Sequence, residues 1–225
     1  MRSGGDDRTT KARIRDAAIT LFAEDGVATT SVRAIAAAAG VSPALVIHHF
    51  GSKDALRVEC DRYVAATINE QKGGAMRAGA NLDLLGALRQ IREGPPVTRY
   101  LARTLVDGSP HVAELIDEIV ADGTRYTADG VEAGVLRPTA YPYERAAVLT
   151  IWTLGALVLH EHLERLIGVD LLGTPPDDMG AMAAYVAPVF EMMTDGVVMP
   201  EFAARMRSVF VNDDEHTTDT EEEGS

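Results

Sequence analysis

Residues 31–50 read SVRAIAAAAGVSPALVIHHF. Val32, Ile35, Ala36 and Ala39 fall at i, i+3, i+4 and i+7, one apolar face of a short helix. Thr29, Thr30 and Ser31 stand before it, each with a side-chain oxygen able to accept from an open N–H of the first turn. Gly40 follows the last apolar residue, where the chain leaves a helix through positive φ. Ser42-Pro43 restarts a helix: Ser42 caps, and Pro43 fits a first turn that needs no N–H. This second helix runs to about His49. So short a connection makes the two helices cross steeply, which predicts a helix-turn-helix. The small residues Ala36 to Gly40 let them approach closely.

The flanks extend the pattern. Residues 8–25 predict a first helix with Ile14, Ala17, Ala18, Leu21 and Phe22 on one face, ended by Gly26. Beyond the pair, Gly51-Ser52-Lys53-Asp54 reads as a turn, a capping serine and a new helix to about Gln71, loosened at its end by Gly73-Gly74 and Gly79. The run over residues 8–68, carried by LFAEDGVATTSVRAIAAAAGVS and HHFGSKDAL, resembles the DNA-binding domain of TetR-type bacterial regulators. The resemblance implies an all-α protein with an N-terminal three-helix head and a helical ligand-binding and dimerisation body. It further implies a dimeric transcriptional repressor that leaves its operator DNA when a small apolar or amphipathic ligand binds. In that family the helix from Ser52 links head to body.

The expected organisation is a disordered N-terminus at 1–7, the head at 8–68, the body at 69–211 and a disordered acidic tail at 212–225, with seven acids and no Lys or Arg. The net charge of −13 looks unsuited to a polyanion. Residues 1–57, however, carry eight Lys and Arg against six Asp and Glu, a net +2, so the remainder carries −15. Screening over about 8–10 Å lets a locally basic head dock regardless of an acidic body. Cys60, the single cysteine, excludes an intramolecular disulfide framework and suits a reducing compartment. The N-terminus has no apolar stretch of the signal-peptide kind. The longest uncharged apolar run, 146–160, falls short of the roughly 18 residues a bilayer needs. A cytoplasmic protein with no membrane partner is expected.

For DNA, the second helix of the pair offers Ser42, Pro43, Ala44, Leu45, Ile47, His48 and His49, while Val46 and Phe50 are placed towards the core. Ala44, Leu45 and Ile47 suit thymine methyl groups rather than bidentate hydrogen bonds. The family commonly has two tyrosines and a histidine before the phenylalanine; here stand Ile47, His48 and His49, and the histidines can donate to phosphate. Thr30, Ser31, Arg33 and Lys53 are placed on the phosphate backbone. Lys11, Arg13 and Arg15 at the start of the first helix are further candidates.

The body reads as helices over 82–93, 97–106, 111–136, 143–167, 177–198 and 200–211. Residues 146–159 are apolar nearly all round, which requires burial on several sides. The resemblance makes the helices 143–167 and 177–198 the dimer interface, with Gly155, Ala156, Ala181 and Ala184 permitting close approach. A pocket is expected among the helices between 82 and 136 and against 143–167, with Tyr100, Arg103, Tyr126 and Trp152 in its wall. No cofactor, metal or catalytic residue is expected. Two other classes remain open at this point. One is a helical interaction module without DNA binding; the other is a metal-binding enzyme using His160 and His162, with Glu161 and Glu164 beside them, although the HExxH spacing is absent.

Overall fold

The computed structural model describes residues 4–81, 83, 96–108, 111–173 and 179–210, and among these the regular structure is entirely helical. In chain order the helices are α1 (Gly4–Asp25), α2 (Val32–Ala38), α3 (Pro43–Phe50), α4 (Lys53–Ala78), α5 (Val97–Val106), α6 (Val112–Glu132), α7 (Pro142–Val158), α8 (His160–Ile167), α9 (Met179–Thr194) and α10 (Pro200–Phe210). The chain divides into two compact units, Met1–Leu166 with Asp170–Asp177, and Ile167–Val169 with Asp178–Ser225. Asp83 apart, the expected helix over 82–93 lies outside the described residues, as does the acidic tail from 212.

Three elements depart from the sequence reading. First, α1 begins at Gly4, inside the stretch expected to be disordered. Second, α4 runs through Gly73-Gly74 to Ala78. Gly73 is buried, and a Cβ there would meet Tyr126 Cβ on α6 at an ordinary 3.6 Å and the flexible Arg77 Nη1 at 3.1 Å, while one at Gly74 would meet nothing within 4 Å. The two glycines each cost about 1 kcal/mol of helix propensity without stopping a helix that packs along α6. Third, the expected helix 143–167 is two helices bent by 75° at Leu159, with no Gly or Pro at the break to announce it.

The first unit has two apolar clusters. One gathers Ile14, Ala18, Ile19, Phe22 and Ala23 of α1 with Ile35 and Ala36 of α2, Ala39, Val46 of α3 and Leu56, Cys60 and Val64 of α4. Its thirteenth member is Tyr100, delivered by α5 and fully buried, with its ring 6.5 Å from that of Phe22. The other cluster holds Ala65, Leu101, Ala102, Leu115, Ile119, Leu154 and Leu157. Both α4 and α5 therefore serve both clusters. Cys60 is a buried small hydrophobe whose thiol is pushed far up by burial, which makes it a poor nucleophile.

α7 is apolar on two sides. Ala146, Thr150, Leu154 and Leu157 face inward. Val148, Ile151, Trp152, Val158 and Leu159 are exposed, and Trp152 has 66% of its surface open. Within one chain, therefore, the described residues cover one side of α7 and leave the other apolar side open. Taken by itself, α9 carries Pro188 within its span and exposes Val186, Phe190, Met192 and Met193.

Candidate nucleic-acid interface

α2 and α3 cross at 103°, helix-turn-helix geometry built almost wholly from local chemistry. Ser31 Oγ accepts from Ala34 N at 3.1 Å, Ser42 Oγ from Leu45 N at 3.2 Å, and Ser52 Oγ from Ala55 N at 3.0 Å. Each serine thus satisfies an open N–H of α2, α3 or α4 in turn. At the end of α2 the Gly40 N–H donates to Ala37 O at 3.1 Å and the Val41 N–H to Ala36 O at 2.9 Å. That double bond pattern is a Schellman stop, and it requires the positive φ of +64° that Gly40 adopts. Arg13 of α1 reaches over to donate to Ala39 O and closes the same helix end.

This framework turns one face of α3 outward. Ser42, Pro43, Ala44, Ile47 and His48 are exposed, Leu45 is partly so, and Val46 is buried as its anchor. His49 is half-buried between the rings of His48, 5.6 Å away, and Phe50, 6.3 Å away. It is turned more inward than His48. Ser31 and Arg33 are exposed at the start of α2.

Two residues placed on phosphate do other work. Thr30 is buried, and its hydroxyl donates to Gly26 O at 2.7 Å and Leu21 O at 3.3 Å. It shapes the turn after α1, and its burial removes its side chain from any DNA contact. Lys53 donates to Val27 O at 2.8 Å and Thr30 O at 3.1 Å, tying α4 to that turn. An ammonium has three protons, so one remains for an outside acceptor. Lys11, Arg13 and Arg15 of α1 are likewise engaged within the fold. Lys11 pairs with Glu59 at 3.0 Å and holds that carboxyl below its usual range. Arg15 stacks 3.4 Å over the Tyr63 ring and pairs with Asp16.

Beneath this surface lies a polar contact that no local pattern announces. Tyr100 donates to Asp61 Oδ1 at 2.6 Å, both residues buried, with Arg57 Nε 3.9 Å from Asp61 Oδ2. Burial raises the Asp61 carboxyl, while the Tyr100 hydrogen bond and the Arg57 charge pull it back down. The only sequence signal was position: Asp61 follows Cys60 on a helix whose Leu56, Cys60 and Val64 face the core.

The four residues expected to line a pocket do not converge. Tyr100 is core with its hydroxyl engaged by Asp61. Arg103 lies over Gly26 and pairs with Asp107 at 3.2 Å. Trp152 points to the outside of α7. Tyr126 is also inward, between α4 and α7, against Gly73 and Gly123. A separate cleft of about 310 Å³ is lined by Val58, Asp61, Arg62, His111, Glu114, Leu115 and Glu118. His160 opens α8 rather than continuing α7, and among the described residues no three His, Cys, Asp or Glu side chains are placed to share a metal.

Comparison with known proteins bears directly on this surface. The family model for bacterial regulatory proteins of the tetR family matches residues 14–60, and that of the tetracyclin repressor-like C-terminal domain matches residues 93–199. The HTH-type transcriptional regulatory protein RaaS of Mycobacterium tuberculosis is 36% identical over 202 residues, covering 88% of this chain and 90% of its own. The HTH-type transcriptional repressor Rv3405c of the same organism is 35% identical over 139 residues, 52% of this chain and 61% of its own. A Clostridium perfringens protein described as a fatty acid metabolism regulator shares the fold with a TM-score of 0.53 and 18% identity, over 83% of this chain and 99% of that one.

Proposed function

Because the chain belongs to the TetR family and is a DNA-binding transcriptional regulator, not an enzyme, we propose that it acts as a homodimeric repressor released from its operator by a small molecule. The observation that carries the dimer is the outer face of α7. Val148, Ile151, Trp152 and Gly155 recur at i, i+3, i+4 and i+7 and are exposed or half-exposed, and a Cβ built at Gly155 meets nothing within 4 Å. A contiguous apolar stripe of this kind marks a surface meant for a partner. A second copy of the same stripe covers it by two-fold symmetry. Gly155 and Ala156 are the points of closest approach, and Ala181 and Ala184 keep that role on α9.

Each head then presents α3 to a major groove. Ala44, Leu45 and Ile47 meet thymine methyl groups, while Ser42, Pro43 and His49 flank them. Ser31, Arg33, His48 and the third proton of Lys53 take phosphates. Two-fold symmetry makes the operator roughly palindromic, with half-site centres about one helical turn or a multiple apart. The cytoplasm is the proposed location, and among the described residues no single helix is long and apolar enough to cross a membrane. The effector is an apolar or amphipathic molecule held in the body. It acts only to the extent that it binds one spacing of the two heads better than the other.

Sedimentation and operator titration test this together. Wild type is expected to sediment as a dimer at micromolar concentration and to bind a selected genomic fragment with a steep salt dependence. Ala156→Asp should give monomers, because an unpaired charge buried in an interface costs several kcal/mol. A wild-type monomer, or affinity flat with salt, overturns the reading.

A further inference from the structure

We propose that the effector carries an anionic group, in the first instance a carboxylate, and that Lys72 is the cation that receives it. This rests on the effector-release reading above and names the class of ligand.

Lys72 projects from α4 towards α6 and is half-buried. Its ammonium lies 6.0 Å from the centre of the Tyr126 ring, and among the described residues no carboxylate or carbonyl accepts from it. Its cationic neighbours are provided for: Arg77 pairs with Asp129 at 3.1 Å, and Arg125 with Asp122. A cation taken from water wants a counter-charge, and a ring face replaces only part of a lost hydration shell. Burial accordingly holds the Lys72 ammonium below the ordinary lysine range.

The surroundings extend the pattern. Tyr126 is 8% exposed and Thr150 5% exposed, and among the described residues neither hydroxyl has a hydrogen-bond partner. The two oxygens stand 3.4 and 3.7 Å from the point where Gly123 would carry a Cβ. The absence of a side chain at Gly123 keeps the space between them open. One cation beside the Tyr126 ring and two hydroxyls beside Gly123 thus stand where α4, α6 and α7 meet, each able to donate and, among the described residues, none engaged. A cationic ligand would be repelled by Lys72. A neutral apolar one would leave the ammonium as it is. A single negative charge carried on oxygen satisfies all three groups.

The test uses the full-length protein on its selected operator. The probes are straight-chain fatty acids of eight to sixteen carbons, benzoate and decyl phosphate, each paired with its neutral alcohol or amide. Calorimetry gives affinity, fluorescence anisotropy gives operator release, and carbon NMR of methylated lysines gives the Lys72 titration. At least one acid should bind about tenfold or more tightly than its neutral partner, the scale of one charge-assisted hydrogen bond. That acid should release the operator and raise the Lys72 titration point. Lys72→Met should abolish the preference, and Lys72→Arg should keep it. Neither change should lower the melting temperature or alter ligand-free operator affinity by more than about twofold. Decyl phosphate outdoing every carboxylate retains the anion site but moves its class to phosphate. Acids that bind no better than their neutral partners, or a Lys72→Met variant that keeps the preference, overturn the proposal and leave Lys72 a strut against Tyr126. If neutral compounds release wild type and variant alike, effector release stands while the anion site falls. If no compound of either kind releases the operator, effector release falls with it.

Discussion

The head and the body start their helices differently. In the head, α2, α3 and α4 each begin on a serine whose hydroxyl accepts from the backbone three residues on. In the body, α5, α6 and α7 begin at Pro96, His111 and Tyr141 with no side-chain cap at all. The head turn is further closed by Arg13 on Ala39 and Lys53 on Val27 and Thr30. The body instead leaves Lys72, Tyr126 and Thr150 without hydrogen-bond partners among the described residues. A helix fixed at its end by a local bond has one axial position. A helix without such a bond takes its axial position from side-chain packing alone. The starts of α2, α3 and α4 are therefore fixed locally, and those of α5, α6 and α7 by their neighbours.

The strongest challenge to this contrast is a pair of core truncations. Phe22→Ala empties a fully buried site in the head and should cost about 3–5 kcal/mol. Operator binding should fail with it. Leu154→Ala in the body should cost about 2–5 kcal/mol by thermal melting, yet the remaining folded protein should bind the operator normally. If both abolish binding at temperatures where the protein is folded, the head is not independently rigid.

Next in size is Tyr100→Phe. It leaves the buried Asp61 without its donor, a loss of about 1–3 kcal/mol. The sign with pH follows from the raised carboxyl. A folded pKa above the unfolded one means the native state holds the proton more tightly, so this group's contribution falls as pH rises through that interval. The deficit of the variant should be full at neutral pH, shrink as pH falls through the raised folded-state value, and be smallest below about pH 3.9, where both states are protonated. Denaturant titrations at several pH values measure it, and a pH-independent deficit would detach the effect from Asp61.

Ser42→Ala removes one cap and should cost about 0.5–2 kcal/mol. Its operator affinity should fall by more than that of a surface serine change elsewhere, because α3 loses its fixed start. Unchanged affinity would show that packing alone positions α3. The smallest effect is alkaline. The Lys72 ammonium is held below its ordinary range, so between the folded and unfolded values the unfolded chain binds more protons and stability rises with pH. Any stability advantage of Lys72→Met over wild type should therefore narrow towards about pH 10.4, and a constant difference would remove the desolvated charge as its cause.

The same contrast explains what could be read from the sequence. Ser31, Gly40, Ser42 and Pro43 act within four residues of where they stand, so the helix-turn-helix and its outward face were legible as text. Lys53 was legible as a helix start but not as a donor to carbonyls 23 and 26 residues earlier. Tyr100 and Arg103 leave the expected pocket wall for the same reason. Tyr100 meets Asp61 across 39 residues, and Arg103 is drawn to the end of α1, neither of which any spacing encodes. The run through Gly73-Gly74 and the bend at Leu159 were not legible either: in one the glycines cost propensity without stopping the helix, and in the other no breaker residue marks the place. Trp152 was expected in the pocket wall, but its large exposure places it on the outer face of α7.

Tyr100 also sets where this chain can be cut and joined. A chimaera that keeps residues 1–68 and borrows a body from a relative would inherit a head core with a ring-sized hole and an acid, Asp61, stripped of its donor. The graft would succeed only where the incoming body supplies a phenol at the same point. A breakpoint placed after Val106, which carries α5 along with the head, would preserve that core. The unit that recombination can exchange is thus longer than the one that touches DNA.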